Sequence, residues 1–281
     1  MPLISLLSDW GQEDHYLAEV KLRLYTCVPD CRILDISHGL KRNDLLSAAF
    51  MISDLLPSMP EGSVHIIGIQ DISSEDYVHV AARAGSQFII GTDSGFFEYF
   101  QWISGRKVDE VRLIGSGMDA GGDSCTFPSR DFFPEVAARL IRTGSLDGVG
   151  VPGALSPKVM ASPMAVKVTE KDREGNTIGC RLNGKVLYVD HFGNACTNIR
   201  KSQYQECLSQ YPFTCMTVNG KRLSKPPVRS YQDVAEGSLL GLFLKNGFLE
   251  VSINGDRMAD LLGFGPSSQV NILFGQSLFV W

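Results

Sequence analysis

Residues 3–24 read LISLLSDWGQEDHYLAEVKLRL, and this stretch decides the fold. Leu3 to Leu7 is an apolar run of strand length, while Leu17, Val20 and Leu24 recur at the spacing of one helix face. Asp14 stands where a helix N-cap is expected, and Pro29 bounds the helix on the far side. A strand feeding a helix through a polar loop is the repeating unit of a layered α/β domain. The loop itself, Ser8-Asp9-Trp10-Gly11, then falls at the carboxyl edge of the sheet, where open α/β folds bind ligands.

The same alternation runs outward to about residue 150. Further strands are expected over Arg32 to Ile36, Ser63 to Ile69, Val78 to Ala82, Gln87 to Gly91 and Val108 to Leu113. A second helix starts at Asn43 or Asp44 and carries Leu45, Ala48, Ala49, Ile52 and Leu55 before Pro57; a third spans Phe132 to Thr143 and stops at Gly144. Helical crossovers between strands imply an α/β N-terminal domain with a largely parallel sheet.

From Gly150 to Pro163 the composition shifts to Gly, Pro, Ser and Ala, which reads as a surface connector. The boundary placed there, within about 150–180, gives an α/β domain over residues 1–162 and a second domain over 163–281. Beyond it Asn-Gly occurs at Asn183, Asn219, Asn246 and Asn254, and nowhere earlier. Asn-Gly tolerates the positive φ of tight hairpins, so Lys185 to Val189, Phe213 to Val218, Leu239 to Leu244 and Phe248 to Ile253 are expected as antiparallel strands. The second domain is therefore mostly antiparallel β and barrel-like or a small sandwich.

Composition narrows the function. The 281 residues are 44% apolar with a net charge of -5, as in an ordinary globular chain. No segment concentrates Lys and Arg as phosphate-backbone binding requires, and no apolar run reaches the roughly 18 residues of a membrane helix, so a small molecule is the expected partner rather than nucleic acid or membrane. The start, Met1-Pro2-Leu3-Ile4, has no basic leader region, giving a cytoplasmic expectation. Seven cysteines without framework spacing read as free thiols, Cys27 and Cys31 included. His15, His38, His65 and His79 share no zinc spacing, so no metal is expected.

Three segments carry candidate chemistry. The Asp9 carboxylate can accept from two vicinal hydroxyls, as a ribose presents them, or simply cap a turn or helix. Asp190, His191, Asn194 and Asn198 cluster around a Gly hinge between two β runs, as ligand groups or as satisfied turn residues. Thr126 and Ser129 enter a helix start, a place suited to anions and equally to capping. The Gly-rich stretch of residues 115–122 lacks phosphate-loop spacing and reads as a flexible loop.

In this order the segments resemble the family of S-adenosylmethionine hydroxide adenosyltransferases, the adenosine-forming hydrolases, with the related fluorinases and chlorinases. The carriers are SDWGQEDHYLAEVK (8–21), PDCRILDISHGL (29–40), PEGSVHIIGI (60–69), GTDSGFF (91–97), TFPSRDFFPEVAARL (126–140), VDHFGNACTNI (189–199) and KNGFLEVSING (245–255). The resemblance implies a homotrimer that binds S-adenosylmethionine or adenosine, with no further cofactor. It implies that Asp9 holds the ribose diol, that Asp14 is a second acidic residue of that loop, that Asp190 holds the methionine ammonium, and that Asn194 and Asn254 serve adenine.

The catalytic positions depart from the family. Its Asp falls on Gln70, or on Asp71 with a one-residue slip; its Arg falls on Tyr77 and its His on Pro128. Asp71, Glu75, Asp76 and His79 are the candidates to activate water instead. Ser129 stands at a halide-contacting serine of the fluorinases, but aromatic positions of that family fall on Asn43, Pro128 and Cys196. The implied activity is hydrolysis at C5′ to adenosine and L-methionine. The alternatives are a non-catalytic binder of S-adenosylmethionine or adenosine, and a halogenase.

Overall fold

The computed structural model describes residues 3–72, 77–115, 125–158 and 163–276. The chain divides into two compact units, Met1–Ala161 and Ser162–Trp281. No helix among the described residues is long and apolar enough to cross a membrane.

The first unit runs β1 (Leu3–Ser8), α1 (Tyr16–Cys27), β2 (Arg32–Ser37), α2 (Leu45–Leu55), β3 (Val64–Gly68), β4 (His79–Ala84), β5 (Gln87–Thr92), α3 (Phe96–Ser104), β6 (Glu110–Ile114), α4 (Pro128–Asp131), α5 (Phe133–Thr143) and β7 (Val151–Pro152). Its seven strands lie in the order β2-β1-β3-β5-β4-β6-β7. The pairs β1–β2, β1–β3 and β3–β5 are parallel, and β4 is antiparallel to both β5 and β6. The sheet is thus mixed and largely parallel.

Because strand side chains alternate, each face buries its own set. Ile4, Leu6, Val64, Ile66, Phe88 and Ile90 pack with Val20 and Leu24 of α1 and Phe133, Ala137 and Leu140 of α5. The intervening Leu7, Ile67 and Ile89 are equally buried on the other face. Burying side chains of this size stabilises the unit by roughly 1.5–3 kcal/mol apiece.

Helix starts and stops follow the expected chemistry with three corrections. Asp44 caps α2 by accepting from Ser47 N at 3.0 Å, and Gly144 ends α5 in the left-handed region with φ 63°. Asp14 does not cap α1: the helix begins at Tyr16, His15 occupies the cap position, and it makes no side-chain cap bond. Leu55 is exposed, and the fully buried position is Leu56, shifted by the 3-10 turn over Leu56–Ser58 around Pro57. The third difference is α3, unforeseen in the sequence, which buries Phe96, Phe97, Phe100 and Ile103. Part of the expected connector is also structured, since β7 pairs with Arg112 and Leu113 of β6.

The second unit runs β8 (Val166–Lys171), β9 (Thr177–Val189), β10 (Ala195–Arg200), α6 (Lys201–Gln210), β11 (Phe213–Val218), β12 (Lys221–Leu223), β13 (Leu239–Phe243), β14 (Phe248–Ile253), α7 (Met258–Leu262) and β15 (Gln269–Gly275). All of its ladders are antiparallel, in the order β12-β11-β15-β9-β10-β14-β13, with β8 also on β9. The sheet curls into a nearly closed barrel around Leu182, Val186, Ile199, Met216, Val251, Ile272 and Phe274.

Asn219-Gly220 makes the hairpin from β11 to β12 with φ of 46° and 78°, and Gly247 and Gly255 also take positive φ at turns beside β14. Asn183-Gly184 does not turn; it lies in the middle of β9. There a Cβ at Gly184 would come within 2.5 Å of Ile199 Cγ1, so glycine is required by close approach and not by φ.

Candidate functional site

Strands β1, β3 and β5 are parallel and end at one edge, at Ser8, Gly68 and Thr92. His79 pairs with Thr92, so β4 starts at that same edge. The loops gathered there hold most of the candidate groups of the first unit.

Asp9 leaves β1 and its Oδ2 accepts the backbone N–H of Asn43 at 2.8 Å. Asn43 has φ 62°, a left-handed conformation that Asn tolerates and that turns its amide toward the carboxylate. Partial burial raises the pKa of Asp9, and the Asn43 amide offsets that in part. Trp10 lies over Gly68, where any Cβ would fall 2.2 Å from its ring, and meets Phe127 edge-on at 5.1 Å. Asp14 is exposed in the same loop.

Of Gln70 and Asp71, it is Asp71 whose side chain meets the segment that opens with Pro128 and Ser129. Gln70 takes φ 53°, which turns the chain after β3 so that both carboxylate oxygens of Asp71 accept Ser129 N, at 3.2 and 3.3 Å. Burial raises the Asp71 pKa to about 7; Ser129 works against this, while the charges of Asp9 and Asp131 add to it. The fully buried Ser129 Oγ stands close enough to be one of the groups that lower that pKa, yet it completes no hydrogen bond of good geometry among the described residues. Pro128, which lacks an N–H, opens the short helix α4, and Asp131 closes it by accepting Thr126 N at 3.2 Å and Phe127 N at 3.0 Å. A carboxyl group that shares protons near neutrality beside an unsatisfied hydroxyl suits proton removal from a small nucleophile.

His79 is buried between Phe132 and Phe133, with ring centroids 5.5 Å from each. Its Nδ1 meets Thr92 Oγ1 at 3.1 Å, and that hydroxyl donates to Gln70 O at 3.2 Å. Burial lowers its pKa to about 4, so it is neutral at physiological pH. Glu75 and Asp76, with most of the Gly-rich stretch 115–122, lie outside the described residues. Among the described residues no three His, Cys, Asp or Glu side chains group as metal ligands.

In the second unit the hinge between β9 and β10 closes on itself. Asp190 Oδ1 accepts Asn194 N at 2.8 Å and Oδ2 accepts Asn194 Nδ2 at 3.0 Å, so both residues are oriented as one element. A cavity of about 620 Å³ adjoins it, lined by His191, Phe192, Asn194, Tyr231, Gly255 and Arg257 among others. Phe192 is 72% exposed, a large apolar face left at the mouth. Asn254 is not in that lining; its Nδ2 donates to Tyr231 O at 3.2 Å and Val234 O at 3.0 Å, and so fixes the segment that carries Tyr231. Asn198 likewise turns inward, accepting Lys185 N at 2.7 Å.

Sequence reasoning did not single out Tyr231 or Arg257. The Tyr231 hydroxyl bonds Glu250 and, at 3.1 Å, Ser252, and burial with the Glu250 bond pushes its pKa up to about 12. Arg257 donates to His191 O and pairs with Asp260 at 2.5 Å. Both are placed by turns whose ends meet only in the folded barrel.

A largely parallel sheet with carboxylates at its carboxyl edge, followed by an antiparallel barrel with its own cavity, defines a two-unit small-molecule protein of the α/β-plus-barrel type. The chain belongs to the SAM hydroxide adenosyltransferase family: the N-terminal domain of that family matches residues 4–150 and its C-terminal domain residues 184–271. It is 27% identical to an (R)-S-adenosyl-L-methionine hydrolase of Salinispora tropica over 98% of both chains. It is 28% identical to the hydrolase of the same name from Thermus thermophilus, over 96% of this chain and 99% of the relative. A fluorinase of Nocardia brasiliensis is 24% identical over 92% of each. The fold is shared with a crystal structure of a conserved protein from Thermotoga maritima, at TM-score 0.80 and 23% identity over 96% of this chain and 99% of that one.

Proposed function

We propose that this chain hydrolyses S-adenosyl-L-methionine at C5′. Water attacks the carbon, the C5′–S bond breaks with its electron pair passing to sulfur, and the products are adenosine, L-methionine and a proton. The charged sulfonium becomes a neutral thioether, so the reaction gains from orientation of the water and from exclusion of bulk solvent. Full-length similarity to hydrolases named for this substrate supports the reading.

The observation that carries it is the Asp71 carboxylate, held on the Ser129 amide within the field of Asp9 and titrating at about 7. In this reading Asp71 takes the proton of the attacking water and Ser129 helps to place it. Asp9 holds the ribose diol, with Asp14 in the same loop. Asp190 and Asn194 serve the methionine ammonium and adenine, Phe192 offers a stacking face, and Asn254 acts through Tyr231. His79, packed between two phenylalanines, supports the sheet edge. The homotrimer implied by the resemblance belongs to this proposal, and light scattering should give three chain masses.

Incubation with S-adenosylmethionine and chromatography for adenosine tests the activity, with binding measured in parallel by calorimetry. Adenosine formation that disappears in Asp71→Asn is the expected result. Binding without product would favour a non-catalytic binder, the reading that Tyr77 and Pro128 at the family's Arg and His positions also suit. Added halide should yield no 5′-halo-5′-deoxyadenosine.

A further inference from the structure

The loop that carries Asp9 is clasped by the loop that follows β2, and the centre of the clasp is His38. Its ring is buried at 2% exposure, and both nitrogens are committed. Asp35 Oδ1 lies 3.2 Å from Nε2 and, being a carboxylate, fixes the proton there; Nδ1 therefore accepts the hydroxyl of Ser8 at 2.6 Å. Lys21 holds Asp35 from the other side at 2.5 Å. The backbone oxygen of His38 accepts Gly11 N at 2.8 Å, and its ring stacks on Trp10 at 5.9 Å and 15°. Ser8, Trp10 and Gly11 are thus all tied to one residue, and the residue among them that is not is Asp9, whose carboxylate meets Asn43 further along the same loop.

The order Ser8–His38–Asp35 has the connectivity of a nucleophilic triad, but Ser8 is fully buried and reaches no substrate. Its effect is mechanical. We propose that His38 is a positioning residue that sets the Asp9 carboxylate for the ribose through Ser8, and this rests on the reading of Asp9 as the ribose-binding group. A buried ring with two directional bonds and a stacked neighbour has one orientation, whereas a loop held by backbone bonds alone has several.

Calorimetry with adenosine as the probe tests it in a double-mutant cycle. Ser8→Ala and His38→Ala should each weaken binding on the order of tenfold, as displacement of a binding group does. In an Asp9→Asn background neither should weaken it further, because the group they position has been removed. His38→Asn, whose amide oxygen can accept from Ser8 where Nδ1 does, should restore most of the affinity. Should His38→Ala fail to fold, Ser8→Ala, which removes one hydroxyl, carries the cycle. Additive losses in the Asp9→Asn background, or no loss in the parent, would overturn the role of His38 while leaving Asp9 in place. Asp9→Asn binding as tightly as the parent would instead overturn the ribose reading, and this proposal with it.

Discussion

If Asp71 is the base proposed above, the activity depends on pH in one direction. Burial raises its pKa to about 7, so the base form grows as pH rises through neutrality. We expect kcat/KM for S-adenosylmethionine to climb tenfold per pH unit well below 7 and to level off above it. Asp71→Asn should lower kcat by about 10²–10⁴ and flatten that profile, as loss of a general base does. A profile unchanged by the substitution would remove Asp71 from the mechanism. The place of Asp9 at the carboxyl edge of the sheet was legible in the sequence because strand, loop and helix follow one another at fixed spacing. That Asp71, and not Gln70, would meet Ser129 was not legible, since the positive φ of Gln70 has no sequence signal in a residue other than Gly or Asn. His38 was invisible as a partner of that loop, because its contacts with Ser8, Trp10 and Gly11 form only when two separate loops meet.

At the scale of the element, packing formed one helix unforeseen in the sequence and overrode one hairpin expected from it. The aromatic run Phe96, Phe97, Tyr99, Phe100 and Trp102 suits strands by propensity, yet it forms α3 because three of those rings bury at helical spacing. Asn183-Gly184 carries the strongest short hairpin signal and stays extended, because β9 has neighbours on both sides there. Gly184→Ala should destabilise the second unit by about 1–3 kcal/mol through overpacking, since the new methyl meets Ile199 and the Asn198 oxygen that holds Lys185 N. Urea unfolding of the variant and parent measures this, and equal midpoints would show that Ile199 yields without cost.

The molecule as a whole balances opposed titrations. His65 and His79 each have a pKa lowered by burial to about 4 against an ordinary 6.5. The unfolded chain therefore binds protons that the folded chain refuses, and their stabilisation is present above 6.5 and is lost as pH falls toward 4. For the fully buried His65, bonded to Ser5 at 2.7 Å, this amounts to roughly 3 kcal/mol. Asp71 works the other way: its raised pKa means the folded state takes up a proton first, so acidification from 7 toward 3.8 favours folding at that site. Asp71→Asn should therefore lose more stability than the parent between pH 7 and pH 5 in denaturant titrations. An equal loss would mean that Asp71 titrates alike in both states. Both fold classes were legible from composition and punctuation, because a switch from helical spacing to Asn-Gly turns is a one-dimensional signal. The cavity beside Asn194 was only half legible, its Tyr231 and Arg257 being delivered from distant turns.

The thirteen-residue β9 has a consequence for how the barrel comes apart. Residues 179–185 bond β15, residues 177–183 bond β8, and Val186 to Val189 bond β10, so a single segment is stitched into both halves of the wall. The edge strands β12 and β13 can fray without disturbing β9, whereas releasing β9 breaks three ladders at once, so its amides should be the last of the second unit to exchange with deuterated solvent, at a rate set by global unfolding.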